Sequence, residues 1–242
     1  MSKQLAEVKD EIRARVLSGS YGAGTWLKEA HVAADLDTSR TLVKLAFTAL
    51  ESEGLLTPLE TRGYRVASFS PEEVFDAIAL RAQIEGRAAR LAAERGGGTA
   101  ELLRIVDSGR IAEDAALDDA LRSRLVETNG RFHQAVETMA GSRAISRTLA
   151  TLRATPLSGP AAIVFDPRDP EGDMVRLRRA EEDHRRIAEL IGSGAGRRAE
   201  AMMIEHILAS ADRKRRYFDE LKARRLVTLT PGIALIAEPA EE

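Results

Sequence analysis

Beyond residue 70 the chain carries only one kind of local order. Apolar residues recur at helical spacing through segments at roughly 71–95, 99–114, 117–140, 142–153, 172–191 and 197–225. Helices of this kind must bury an apolar stripe against one another, so an all-helical antiparallel bundle is expected. "SFSPEEV" opens it, with Ser70 as N-cap, Pro71 at the first helical position and Glu73 closing a capping box. Breaks fall at the glycines of 96–98 and at "GSGAG", 192–196. "TPLSGPAAIVFDPRDPEGD" holds four of the eight prolines and reads as a long loop. Only 4% of residues are aromatic, while Ala, Leu and Arg abound, which also favours helix over sheet.

The first 69 residues read differently. Leu5, Val8, Ile12 and Val16 mark an amphipathic helix that stops at Gly19. Two further helices are expected at 28–36 and 39–53, joined by a very tight turn at Asp37 and Thr38, with Gly54 suited to a left-handed terminus. Strands at 55–59 and 64–68 then flank "ETRG" as a small hairpin. Three helices followed by a hairpin make a winged helix-turn-helix. The expected fold is therefore mainly α: a winged helix-turn-helix domain at 1–69, a helical bundle at 70–225 and a tail at 226–242. The tail segment "LVTLTPGIALIA" has strand-like apolar residues and no evident place.

The chemistry of the third helix suits DNA. Its first turn, "TSRT", offers the hydroxyls of Ser39 and Thr41 and the fork of Arg40, which can take a guanine O6/N7 pair. Lys44 lies one turn further on the same face, within reach of a phosphate. Arg62 and Arg65 flank Gly63 at the hairpin tip, where a wing would meet DNA. The competing explanation is an ordinary helical hairpin with a solvated charged face. A net charge of −2 argues against a generally basic coat but not against a local basic face. No apolar run approaches the roughly 20 residues of a membrane span. The charged N-terminus lacks a signal-peptide core, so a cytoplasmic location is expected.

The chain has no cysteine, so a metal would need His, carboxylate or amide ligands. Three of the four histidines fall on apolar stripes of the helical domain. Asn129 and His133 are one turn apart on a face bordered by Leu125, Phe132 and Val136. His184 lies among Leu177, Ile187 and Ile191, and His206 follows Met202 by one turn. On one continuous helix His184 and His206 would stand roughly 33 Å apart. Folding back at "GSGAG" brings them level to within roughly 3 Å. Two explanations compete: core histidines with hydrogen-bond partners, or ligands of an ion such as Zn or Ni.

The two halves together resemble a known family. "TSRTLVKLAFTALESEGLL" followed by "TRGYRV" is similar to the GntR-type regulator signature. By that resemblance Ser39, Arg40, Thr41, Lys44 and Gly63 fall on DNA-contact positions. Asp37 stands where Gly is usual, Leu42 where Pro is common and Lys44 where Arg is usual. The helical half, with N-xxx-H, a histidine in "EDHRRI" and another 22 residues later, resembles the FCD effector-binding domain. The resemblance implies that Asn129, His133, His184 and His206 hold a divalent metal, which in turn holds a small organic acid. It places Arg81 and Glu85 over the same cavity, although their spacing also fits a plain i, i+4 ion pair. Arg153 is a further candidate for that pocket. The implied protein is a ligand-responsive, homodimeric transcription regulator that binds operator DNA. Two rivals remain: a metal-dependent hydrolase with Glu85 as base, which lacks any HExxH-type spacing, and a metal-free regulator whose histidines and Arg81 hold the effector directly.

Overall fold

The computed structural model describes residues 3–60, 63–96, 98–166, 168–224 and 232–236. The chain divides into two compact units. The first comprises Met1–Val74, Arg153–Leu157 and Val227–Glu242, and the second Phe75–Leu152 and Ser158–Leu226.

In the first unit, α1 (Lys3–Leu17) packs across α3 (Arg40–Ser52), which also packs on α2 (Glu29–Asp35). Val43, Ala46, Phe47 and Leu50 bury one side of α3, which leaves Arg40, Thr41 and Lys44 exposed on the other. The Ser39 hydroxyl caps α3 by accepting from the Leu42 amide at 3.2 Å. Asp37, in the turn before it, has φ 45°, a left-handed conformation that Gly adopts at no steric cost and Asp tolerates. β2 (Leu56–Pro58) and β3 (Tyr64–Val66) form the hairpin. A two-residue strand, β1 (Trp26–Leu27), adds to it in the antiparallel order β1-β3-β2. The periodicity had shown no strand there, because two residues are too few to alternate. This is a winged helix-turn-helix.

The described part of the tail, residues 232–236, packs within this unit. Ile233–Leu235 form a 3-10 turn whose Leu235 is fully buried in the core of the head. The Phe69 amide donates to the Leu235 carbonyl at 2.9 Å, and the Gly232 amide to the Leu17 carbonyl at 3.0 Å. Local pattern could not place this segment, since its partners are more than 160 residues away.

The second unit holds the rest of α4 (Pro71–Glu94), then α5 (Ala100–Ser108), α6 (Asp119–Ala140), α7 (Arg143–Arg153), α8 (Pro170–Gly192) and α9 (Gly196–Arg224). α4 begins with the expected capping box: the Glu73 amide donates to the Ser70 hydroxyl at 3.1 Å, and the Ser70 amide to the Glu73 carboxylate at 2.7 Å. α8 and α9 fold back on each other through a turn at Gly194, whose φ is 71°. α5 ends six residues earlier than its apolar pattern suggests. The carbonyls of Ala112 and Glu113 are taken by Arg178 at 2.9 Å, and the Ile111 amide donates to Glu181, so this backbone is satisfied without helix. Gly86 lets α4 approach α9 closely: a Cβ there would lie 2.7 Å from Ile204 and 3.1 Å from the Glu200 carbonyl. Among the described residues no helix is long and apolar enough to cross a membrane.

Candidate metal centre and effector cavity

Four helices of the second unit converge on the three histidines. α6 supplies Asn129 and His133, α8 supplies Asp183 and His184, α9 supplies His206, and α4 supplies Arg81 and Glu85. His133, His184 and His206 are all buried, and one ligating nitrogen from each lies within 4.8 Å of the others. Nε2 of His184 and Nε2 of His206 are 3.0 Å apart. Phe132 fixes the His184 ring by stacking on it with a centroid separation of 4.0 Å.

The nitrogens turned away from the cluster are held by carboxylates. Nδ1 of His133 bonds the Glu85 carboxylate, whose other oxygen pairs with the Arg81 guanidinium at 3.1 Å. Nδ1 of His206 faces Asp183 at 3.3 Å. A carboxylate on Nδ1 fixes the tautomer and leaves Nε2 as the lone-pair nitrogen. Burial pushes the His133 pKa below its ordinary value, against the opposing pull of Glu85. His184 is pushed well below, first by burial and then by the neighbouring imidazoles. These rings are therefore neutral at physiological pH, the state that binds metal.

A cavity of about 300 Å³ opens beside the histidines. Asn129, His133 and His206 line it, and His184 lies behind them, outside that lining. The Asn129 side-chain amide donates to the Pro160 carbonyl, which leaves the Asn oxygen as its acceptor end. The proline-rich loop forms a wall through Pro160, Ile163 and Phe165. Arg81 lines the cavity while its guanidinium also donates to the Ser158 carbonyl of that loop. Glu85 stands one layer back, gripping His133. Arg153 is not among the described residues lining the cavity; it sits half-buried at the end of α7.

The cavity also contains residues that the sequence did not single out. Asp183 precedes His184 and looked like one acid in a charged run, "AEEDHRR". Lys214 lines the cavity at only 3% exposure. Arg213 contributes too and reaches both Asp166 at 3.4 Å and Asp173 at 3.7 Å. A lysine inside "DRKRRYF" reads as surface, and only the packing of α9 shows otherwise.

In the head, Ser39, Arg40, Thr41 and Lys44 share the exposed side of α3. Gly63, at the hairpin, has φ 89°, and a Cβ there would meet the Leu27 carbonyl at 2.6 Å. Arg62 lies outside the described residues. Trp26, half-exposed with the Lys28 ammonium 4.2 Å over its ring, stands beside Gly63 and gave no sequence signal.

Two family models match the chain. Residues 4–66 match "Bacterial regulatory proteins, gntR family", and residues 76–209 match the FCD domain. The probable D-xylose utilization operon transcriptional repressor of Paenarthrobacter nicotinovorans is 28% identical over 204 residues, covering 84% of this chain and 85% of that protein. Among solved structures, E. coli McbR/YncC covers 93% of this chain and 100% of its own at a TM-score of 0.60 and 15% identity. Lar of Listeria monocytogenes covers 94% and 99% at 0.58 and 13%. These two likenesses bear on the fold alone.

Proposed function

Since the chain belongs to the GntR family of bacterial regulators and carries an FCD domain, it is a transcription regulator and not an enzyme, and we propose that a metal-held organic acid controls it. In this reading Asn129, His133, His184 and His206 hold a divalent ion, Zn or Ni by their donor chemistry. The observation that carries it is the pair of carboxylates, Glu85 and Asp183, set on the outer nitrogens of His133 and His206. Metal-ligating histidines are oriented in this way. The ion would supply a positive pole for the effector's carboxylate. Arg81 is the protein's own anchor beside it. The 300 Å³ cavity matches the low end of small-molecule sites.

The head acts through Ser39, Arg40, Thr41 and Lys44 on the recognition helix and through Arg62 and Gly63 at the wing. One head offers few base contacts, so the regulator works as a homodimer on inverted half-sites about one helical turn or more apart. Such work places it in the cytoplasm, with the DNA. Effector binding shifts the balance between two arrangements of the heads. The relative from Paenarthrobacter nicotinovorans is named as an operon repressor, which supports operator binding here.

One observation favours a metal-free version. The 3.0 Å separation between His184 and His206 suits a shared proton as well as a shared cation. Metal analysis of full-length protein purified without a histidine tag separates the two. The expected result is about one Zn or Ni per chain, lost in His184→Ala and kept in His31→Ala, with chelation weakening carboxylate binding. Wild type that stays metal-free after reconstitution, with effector binding indifferent to chelators, would overturn the metal reading and leave the histidines as direct effector contacts.

A further inference from the structure

The small sheet of the head turns one face inward and one outward. On β3, Tyr64 packs edge-on against Phe47 and Val66 is fully buried, so Arg65 between them points out. Trp26 of β1 and Thr57 of β2 lie directly opposite Arg65, and both are exposed. Trp26 is the single tryptophan of the chain and is 50% exposed. The Lys28 ammonium stands 4.2 Å over the centre of its ring.

An exposed indole by itself is an ordinary surface feature. Its surroundings make this one specific. The wing backbone closes directly onto it: a Cβ at Gly63 would lie 2.6 Å from the indole Nε1 and 2.6 Å from the Leu27 carbonyl. Lys28 is also the N-cap residue of α2, the first helix of the helix-turn-helix. In this motif that helix crosses the DNA backbone. The Trp26–Lys28 pair therefore sits at the junction of two elements that meet DNA, the start of α2 and the wing. Arg65 adds a second exposed cation to the same face. Positive charge in this place matches phosphate.

We propose that Trp26 and Lys28 form a phosphate clamp at the base of the wing, with Lys28 as the donor and the indole as its platform. A lysine stem gives up rotamer freedom when its ammonium is fixed. Stacking on the ring restricts that freedom before DNA arrives, which lowers the cost of binding. An ammonium has three donors, so one side can face the ring while the other meets a phosphate oxygen. Such a contact adds affinity and fixes orientation but carries no sequence information. The clamp rests on the reading of the head as a DNA-binding domain and extends its contacts beyond α3 and the wing tip.

The test uses full-length protein with a selected operator and a scrambled duplex, and the single tryptophan reports the site directly. Acrylamide should quench Trp26 less in either complex than in free protein, and added salt should restore the quenching as the complex dissociates. Lys28→Met keeps a stem over the ring and loses the charge. Its slope of log affinity against log salt concentration should fall by about 0.9 for each head bound, while the preference for operator over scrambled DNA stays that of wild type. Lys28→Arg should recover the slope, which a role in folding alone would not produce. If Trp26 stays equally open to acrylamide in the complex, or Lys28→Met keeps the wild-type slope, the clamp is wrong while the recognition-helix reading stands. If wild type binds neither duplex, the DNA-binding reading of the head fails and the clamp goes with it.

Discussion

At the residue scale, the two carboxylates behind the imidazoles do different work from the acids on the protein surface. Glu85 is buried and bridges Arg81 to His133, so it cannot act as a solvated helix charge. Spacing alone left Arg81 and Glu85 as a plain i, i+4 pair, and they do form that pair. What spacing could not give is the second bond, from Glu85 to a histidine 48 residues away. Glu85→Gln keeps the shape but loses the charge that raises the basicity of His133. Metal affinity should fall by about 10–100-fold, the usual effect of removing such a partner, while the helical content stays the same. Competition against a chelator of known affinity, with circular dichroism as control, measures both. Unchanged affinity would mean that Glu85 serves Arg81 alone.

At the scale of the element, α3 separates a buried side from an exposed one. Val43, Ala46, Phe47 and Leu50 are fully buried, so the 3.6-residue period puts Arg40, Thr41 and Lys44 outward. Both exposed cations can be changed without disturbing the core, and they should fail differently. Arg40→Ala should lose discrimination between operator and mismatched DNA by about 1–3 kcal/mol if its fork reads a guanine. Lys44→Ala should weaken binding to all sequences and flatten the salt dependence, as loss of a phosphate contact does. Binding isotherms on a selected operator and a scrambled duplex, each at several salt concentrations, separate the two. Equal affinity of Arg40→Ala and wild type for the operator would remove α3 from the recognition role.

At the scale of the whole molecule, the histidine cluster couples stability to pH. Burial lowers the pKa of both His133 and His184. In the unfolded chain the same groups take up protons near about pH 6.5. Below that pH the unfolded state binds more protons than the folded one, so stability rises with pH there. The contribution is complete above about pH 6.5 and is lost as the pH falls through the depressed folded values. Each ring can add a slope of at most about 1.4 kcal/mol per pH unit. Denaturant unfolding in the presence of chelator should therefore show stability falling from pH 7 to pH 5. A His133→Leu, His184→Leu double variant should show a shallower fall. An identical slope in the two proteins would assign the acid sensitivity to other groups.

The sequence by itself determined whatever depends on neighbours within a turn or two. The helix periods, the capping box at Ser70 and Glu73, the polar outer side of α3 and the inward orientation of His133, His184 and His206 all follow from local spacing. The level placement of His184 and His206 also followed, because one short turn fixes the register of the two helices it joins. Only the tertiary structure decided what needed distant partners. It joined the tail to the head through Leu235 and put Asp183 and Glu85 behind two imidazoles. It also buried Lys214, a lysine from a strongly charged run. The physical reason is that a helix period tells which side of a helix is apolar but not what will pack against it. Whether a charge on that border meets water, a carboxylate or a cavity is settled by the facing helix.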